Sequence, residues 1–311
     1  MTAWDRRNLL QLEGLSREDI VELLDAAERH VDAVRGKTPP RATLAGRIVA
    51  NLFFEDSTRT RGSFAVAAHR LGAAVIDLSS AGSSVSKGET IVDTALTVEA
   101  MGVNAIVVRA RPAGAAHLVA EAVAVPVINA GDGRHEHPTQ GLLDLLTMRQ
   151  HLGDMTGRIV AIVGDIANSR VARSNVHALT TIGAHVRLIG PPALVSGFFE
   201  SVAAASAPGT VQVSHELDPV LPLVDVVMVL RVQFERDSDI SADYHELFGL
   251  TAARAARLKP EAIVMHPGPM NRGLEIDSEV ADDPTRSVIR TQVTNGVAVR
   301  MAVLELLLGG G

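Results

Sequence analysis

Ser57-Thr58-Arg59-Thr60-Arg61 sets three hydroxyls and two guanidiniums in five consecutive positions. Hydroxyl donors combined with fixed positive charge suit a phosphate or a similar oxyanion. Their surroundings strengthen that reading. Ile48 to Phe54 is a mostly apolar run of strand length, as expected for a strand buried on both faces. Phe64-Ala65-Val66-Ala67-Ala68-His69-Arg70-Leu71 is a good helix former, and Gly72 ends it. Ser57 to Thr60 is thus placed where a buried strand turns into a helix N-terminus, where free N–H groups and the helix dipole attract anions. The plainer alternative is a capped surface helix, since Ser and Thr are ordinary N-caps. Three hydroxyls interleaved with two arginines directly after a buried strand tip the balance to an anion site.

The elements that position this stretch follow from the rest of the chain. Ser16 reads as an N-cap, with Glu18 and Asp19 in the first turn and Ile20, Leu23, Leu24, Ala27, Val31 and Val34 at helical spacing. Ala73 to Leu78 reads as the strand after the anion-loop helix, which completes a βαβ unit and implies a parallel sheet. A polar Ser/Gly loop at 79–88 precedes a helix opening at Glu89-Thr90. Strands at 105–108 and 125–128, a helix at 113–123, a loop at 131–138 and a helix from Thr139 to about His151 complete the first half, with Pro138 suited to that helix's first turn. The second half repeats the alternation, with strands at 158–163, 186–189, 211–213, 226–229 and 262–265. Helical segments are expected between these strands, and a last apolar helix at 293–308. The expected fold class is α/β: two doubly wound domains, each a parallel sheet flanked by helices, divided near the helix at 139–151. The expected domains are residues 1–145 and 146–311.

Composition narrows the function. A chain of 311 residues, 47% hydrophobic and 21% charged, fits two globular domains with full cores. A net charge of -7 argues against nucleic acid as the main partner. There are no cysteines, which removes disulfides, thiolate nucleophiles and Cys-ligated zinc. No apolar run is long enough to span a bilayer, and Met1 to Arg7 has no secretion-signal core, so a cytoplasmic protein without membrane attachment is expected.

Several other residues carry chemistry in outline only. Lys87 in the Ser/Gly loop reads by itself as a solvated lysine. Arg109 ends a strand, a place that serves a ligand contact and a surface charge equally well. His135-Glu136-His137 offers two imidazoles, but no third ligand stands at a telling spacing, so no metal is expected there. Gly164-Asp165-Ile166-Ala167-Asn168-Ser169-Arg170 is a strand-to-helix turn without the spacing of a dinucleotide site. Arg170 and Arg231 read by themselves as surface ion-pair partners. His266-Pro267-Gly268-Pro269-Met270-Asn271-Arg272-Gly273 is a rigid loop after a buried strand.

Phe53-Phe54-Glu55-Asp56-Ser57-Thr58-Arg59-Thr60-Arg61 resembles the carbamoyl-phosphate loop of the aspartate and ornithine carbamoyltransferases. Five further motifs follow in the family's order: Ser83 to Thr90, the strand end at Arg109, His137-Pro138-Thr139-Gln140, Arg231-Val232-Gln233, and the loop at 266–273. The likeness runs from about Leu10 to Leu308. Two positions depart from the usual pattern: Ala65, where many relatives carry glutamate, and Ala110, where histidine is common.

The resemblance implies roles residue by residue. Ser57, Thr58, Arg59 and Thr60 hold the phosphate, with Arg109 and with Ser83 and Lys87 contributed by a neighbouring subunit. Thr60, Arg109 and His137 polarise the carbamoyl carbonyl, where negative charge grows as an amine attacks. Gln140 and the backbone carbonyls of Pro267 and Gly268 orient the carbamoyl nitrogen. Arg170, Arg231, Gln233 and Lys87 bind aspartate, a dicarboxylate that two guanidiniums suit well. Lys87, Thr60, Arg109 and His137 form the catalytic set. The implied reaction is carbamoyl transfer from carbamoyl phosphate to L-aspartate, giving N-carbamoyl-L-aspartate and phosphate in pyrimidine synthesis. Ornithine enzymes carry a Cys-Leu-Pro segment near residue 267, and this chain has no cysteine. The resemblance further implies the helix at 293–308 packing back on the first domain, and a homotrimer with shared active sites. It implies no metal or organic cofactor. It leaves open association with regulatory chains or dihydroorotase.

Overall fold

The computed structural model describes residues 6–79, 89–203, 205–232 and 243–309. The chain divides into two compact units, one of Met1–Leu143 with Thr294–Gly311 and one of Asp144–Val293.

The first unit opens with helix α1 (Arg17–Val34). Ser16 caps it: the Ser16 hydroxyl accepts from Asp19 N, and the Asp19 carboxylate accepts from Ser16 N, a reciprocal pair worth about 1 kcal/mol. Four parallel strands follow, β1 (Ile48–Phe53), β2 (Ala74–Ser79), β3 (Ala105–Ala110) and β4 (Val127–Asp132), in the spatial order β2-β1-β3-β4. Between them run α2 (Thr58–Arg70), α3 (Ile91–Ala100) and α4 (Ala115–Ala122). The apolar run of β1 is buried because β2 and β3 flank it and helices cover both faces. Asn51, fully buried in mid-strand, has a neighbouring partner, donating to Asp77 Oδ1 at 2.8 Å.

The second unit is a five-stranded parallel sheet of β5 (Ile159–Val163), β6 (His185–Ile189), β7 (Val211–Ser214), β8 (Val226–Val229) and β9 (Ile263–Met265), ordered β7-β6-β5-β8-β9. Helix α6 (Arg170–Thr181) follows β5. The other expected helical connections are short: 3₁₀ turns at Gly197–Ser201 and Leu221–Leu223, then α7 (Tyr244–Phe248), α8 (Ala252–Ala255) and α9 (Ser278–Ala281). Asp225 ties the start of this sheet together, accepting from Ile159 N at 2.8 Å and from Lys259 Nζ at 3.0 Å, with Arg158 at 3.4 Å.

The chain passes between the units inside two helices, α5 (Pro138–Leu152) and α10 (Ile289–Leu308). The C-terminal part of α10 belongs to the first unit, as expected. Arg300 Nη1 donates to Ser63 Oγ at 2.9 Å, and Glu305 Oε2 lies 3.0 Å from His30 Nε2 on α1. Two boundaries differ from the sequence reading by four residues, the end of β4 and the start of α10. Strand β4 runs on through Gly131-Asp132, because Asn129 and Asp132 bond to one another and to nearby backbone, holding the segment extended. Helix α10 begins at Ile289, where partly buried Ile289 packs on the second unit's core and buried Gln292 is hydrogen-bonded.

Candidate active site

In each sheet the strand order reverses beside its first strand, and the loops leaving the two strands at that point diverge. Such a point opens a crevice at the carboxyl ends of the strands, where ligands bind in open α/β sheets. In the first unit the reversal lies between β1 and β3. The loop after β1 carries Ser57 to Thr60, and β3 carries Arg109. Phe53 pairs with Arg109 across the two strands, and Phe54 N donates to Arg109 O at 2.8 Å. The Arg109 side chain is largely buried. Its Nη1 donates to Ala130 O at 3.3 Å, and its Nε lies 3.4 Å from Glu55 Oε2. Glu55 thereby forms an ion pair with Arg109, a pairing the sequence did not announce.

The start of α2 differs from the α-helices that Ser or Thr otherwise caps, and shares its missing cap bond with the short α7 and α9 behind Asp243 and Asp277. Ser16, Thr90, Ser169 and Thr251 each accept from the backbone N–H three residues on. Ser57 occupies the same N-cap place and makes no such bond. Its hydroxyl and the first-turn N–H groups of a 13-residue helix are therefore not consumed by each other, which leaves the helix end suited to an external anion. Thr60 is buried on the inner side of that turn, while Thr58 and Arg59 are exposed.

His137, Thr139 and Gln140 are buried at the start of α5. The loop before them is tightly held. Asp132, fully buried, accepts from Asn129 Nδ2 at 2.7 Å and Gly114 N at 2.8 Å. The Glu136 carboxylate accepts from Leu12 N at 2.9 Å and Glu13 N at 3.0 Å. Gly133 has φ +54°, and a Cβ there would stand 2.5 Å from Arg111 O, so only glycine fits the turn. Burial raises the Asp132 pKa, but the bonds from His135 and Asn129 outweigh it, so the carboxyl lies below its ordinary value. The His135 imidazole is held above its ordinary value, chiefly by its hydrogen bond to Asp132.

In the second unit the reversal lies between β5 and β8. Gly164, Asp165 and Asn168 form the turn after β5, and Arg170 opens α6 behind the Ser169 cap. Asn168 N and Nδ2 both donate to buried Asp165, at 3.1 and 2.9 Å to Oδ1, which makes the turn rigid. Gly164 has φ +132°, and a Cβ would stand 3.0 Å from Leu230 O on the neighbouring chain segment. Arg231 follows β8 directly and is half-buried. Asn271 Nδ2 donates to Val232 O at 3.4 Å, joining this segment to the loop at 266–273.

That loop stands on a buried polar network. Gly268 N donates to His266 Nδ1 at 2.8 Å, so Nδ1 is the acceptor and Nε2 carries the proton, facing Glu275 Oε1 at 3.3 Å. Glu275 Oε1 also accepts from Asn271 N at 2.5 Å. His266 N donates to Gln292 Oε1 at 2.9 Å, Gln292 Nε2 to Asp144 Oδ1 at 2.8 Å, and Asn175 Nδ2 to Asp144 Oδ2 at 2.8 Å. Pro267 and Gly268 are thus aimed by five side chains, of which the sequence reading singled out only His266.

The structure gathers Ser57, Thr58, Arg59, Thr60 and Arg109 at one reversal, and Arg170 and Arg231 at the other. It places His137 and Gln140 at a helix start in the first unit, and Pro267 and Gly268 on a braced loop in the second. Ser83, Lys87 and Gln233 lie outside the described residues. No helix among the described residues is long and apolar enough to cross a membrane.

Residues 7–150 match the family described as aspartate/ornithine carbamoyltransferase, carbamoyl-P binding domain, and residues 156–307 match its Asp/Orn binding domain. The chain is 56% identical over 312 residues to the aspartate carbamoyltransferase catalytic subunit of Acidothermus cellulolyticus, covering 98% of this chain and 93% of that one. It is 53% identical over 304 residues to the catalytic subunit of the same name from Myxococcus xanthus, covering 96% and 99%. Among solved structures it is similar to aspartate transcarbamoylase from Trypanosoma cruzi in complex with N-(phosphonacetyl)-L-aspartic acid. There the TM-score is 0.89 at 31% identity, over 99% of this chain and 98% of that one. It is also similar to ornithine carbamoyltransferase from Pyrococcus furiosus, with TM-score 0.87 at 30% identity over 98% of each.

Proposed function

The chain belongs to the aspartate/ornithine carbamoyltransferase family, and from that premise we propose how its residues carry the family's reaction. It is a transferase that moves the carbamoyl group of carbamoyl phosphate onto the amino group of L-aspartate, giving N-carbamoyl-L-aspartate and phosphate. The two solved structures resemble it almost equally and differ in acceptor, so the fold does not choose between aspartate and ornithine. The relatives at 53–56% identity share one name, and the chain carries two arginines at the second reversal, a set suited to a dicarboxylate.

The observation that carries the phosphate half is the start of α2, where Ser57 leaves its own helix uncapped. Ser57, Thr58, Arg59 and Thr60 hold the phosphate there, with Arg109, and with Ser83 and Lys87 from a neighbouring subunit. Thr60, Arg109 and His137 donate toward the carbonyl oxygen. Gln140 accepts from the carbamoyl nitrogen, as do the carbonyls of Pro267 and Gly268. Arg170, Arg231, Gln233 and Lys87 hold the aspartate carboxylates. The neutral amine attacks the carbonyl carbon, a C–N bond forms, and charge collects on the oxygen that the three donors face. The C–O bond to phosphate then breaks, and the departing phosphate takes the amine proton. Catalysis rests on placement and fixed charge, with no covalent intermediate.

The family likeness supports a homotrimer in which Ser83 and Lys87 of one chain complete a neighbour's site. Association with regulatory chains or dihydroorotase is compatible with the catalytic-subunit names of the relatives. The reaction's place is an early step of cytoplasmic pyrimidine synthesis. The test is N-carbamoyl-L-aspartate formation by the purified chain, with L-aspartate and L-ornithine in parallel. Turnover with aspartate alone is expected; turnover with ornithine alone would overturn the assignment of acceptor. Mixing Lys87→Gln and Arg59→Ala proteins, each inactive, should restore part of the activity if sites are shared.

A further inference from the structure

We propose that His117, Asp132 and His135 form a binding site for a divalent transition-metal ion of the zinc type. The proposal does not rest on the carbamoyl-transfer reading. One ligand atom from each of the three lies within 4.8 Å of the others. The two imidazoles meet edge to face, with ring centroids 5.6 Å apart, and His135 Nδ1 stands 3.1 Å from Asp132 Oδ2. In a tetrahedral site with metal bonds of about 2.0–2.1 Å, neighbouring ligand atoms are about 3.3 Å apart. The His135–Asp132 pair therefore needs to open by only a few tenths of an ångström, and the His117 ring to swing inward.

The backbone supports that geometry. Asp132 is fully buried and its carboxylate cannot turn: Oδ2 accepts from Gly114 N at 2.8 Å, and Oδ1 from Asn129 Nδ2 at 2.7 Å and Glu136 N at 3.2 Å. This is the outer support that metal-ligating carboxylates require. Oδ2 takes one backbone donor, Gly114 N, and its other neighbour is His135 Nδ1, whose proton an ion would replace. Gly114, which makes that bond, is also the N-cap of α4, and His117 N donates to Gly114 O at 3.0 Å. One glycine thus ties the segment bearing His117 to the carboxylate. Two imidazoles and one carboxylate suit zinc, nickel or copper over magnesium or calcium, and three protein ligands leave a fourth position for water. The carboxylates of Glu136 and Glu13 add negative charge near His135. The sequence reading set His135 beside Glu136 and His137. The fold sets it beside His117 and Asp132 instead. An ion there would clamp the loop that leads directly into His137.

The test is a Co²⁺ titration of the full chain, freed of metal by a chelator, followed by visible absorption and by competition with Zn²⁺. Wild type should bind about one ion per chain in a band typical of nitrogen and oxygen ligands. His117→Ala and His135→Ala should each weaken binding by about tenfold or more. Neither residue belongs to the proposed substrate machinery. Circular dichroism and metal-free Tm would establish that both variants fold, and Zn²⁺ should raise the Tm of wild type alone. Unchanged stoichiometric binding in folded His117→Ala, or no binding by wild type at millimolar Co²⁺, would overturn the proposal.

Discussion

The two sheets use one backbone device for two kinds of anion. Each reverses its strand order beside its first strand, at β1/β3 and at β5/β8, and each carries its candidate ligand groups on the loops that part there. The dressing differs. The first reversal offers a helix end whose N-cap hydroxyl does not cap, and an arginine, Arg109, ion-paired with Glu55. The second offers a helix whose Ser169 does cap, and it relies on Arg170 and Arg231. A phosphate has many oxygens to share among N–H and hydroxyl donors, whereas two separated carboxylates need two separate charges. Both use partners distant in sequence: Glu136 ties the loop before His137 to Leu12 and Glu13, and Gln292 and Asp144 brace the loop at 266–273.

The sharpest way to break this division is Arg59→Ala. If the first reversal holds the phosphate, turnover should fall by about 10³-fold or more, as when a charged group facing developing charge is lost. Calorimetry should show weakened binding of carbamoyl phosphate. Full turnover in a folded variant would move the phosphate elsewhere. The counterpart is Arg231→Ala. Losing one charged bond to a carboxylate costs roughly 1.5–3 kcal/mol, so kcat/KM for aspartate should drop by about 10- to 150-fold. Carbamoyl phosphate binding should be unaltered. A variant that weakened both substrates alike would erase the distinction between the two reversals.

What the sequence made legible tracks how local each feature is. The turn from β1 into α2 was readable because an apolar run, three hydroxyls and a helix former are contiguous. The parallel sheets followed from alternation alone. Strand β4 was read short because Gly131-Asp132-Gly133 has the composition of a turn. Only the side chains of Asn129 and Asp132, folded onto the backbone, show why it stays extended. The support of the Pro267–Gly268 loop was invisible for a stronger reason. Asp144 and Gln292 are 148 positions apart, and no spacing rule links them. Glu55 stood inside a motif without signalling that it would pair with Arg109.

That hidden support gives a smaller, more specific prediction. Gln292→Leu would leave His266 N and Asp144 Oδ1 buried without the partners they now have. The expected loss of stability is about 2–4 kcal/mol, for one buried neutral hydrogen bond and one to a carboxylate. Gln292→Glu should do no better. It keeps an acceptor for His266 but sets a second carboxylate against Asp144. Chemical denaturation measures the loss, and steady-state kinetics should show aspartate KM rising more than carbamoyl phosphate KM. Equal effects on both would mean that the network serves general packing and not the second site.

The smallest effect separates the units by pH. His30 on α1 is buried against Glu305 on α10, and burial lowers its pKa below the ordinary 6.5 more than Glu305 raises it. Below pH 6.5 the unfolded chain then binds a proton that the folded chain refuses. Stability from this site is present above pH 6.5 and is lost as pH falls through the folded value. Asp225 in the second unit behaves differently. Burial raises its pKa, but Ile159 N and Lys259 outweigh that, holding it below the ordinary 3.8. Its stabilisation is present above 3.8 and is lost only in stronger acid. Measured as Tm against pH, His30→Gln should flatten the curve just below pH 6.5, where the unfolded imidazole takes up its proton. Asp225→Asn should do the reverse, flattening the acid limb alone. A His30→Gln protein that kept the wild-type slope below pH 6.5 would mean that the imidazole is as easily protonated inside the first unit as in water. The acid response would then belong to the carboxylates of both units alike.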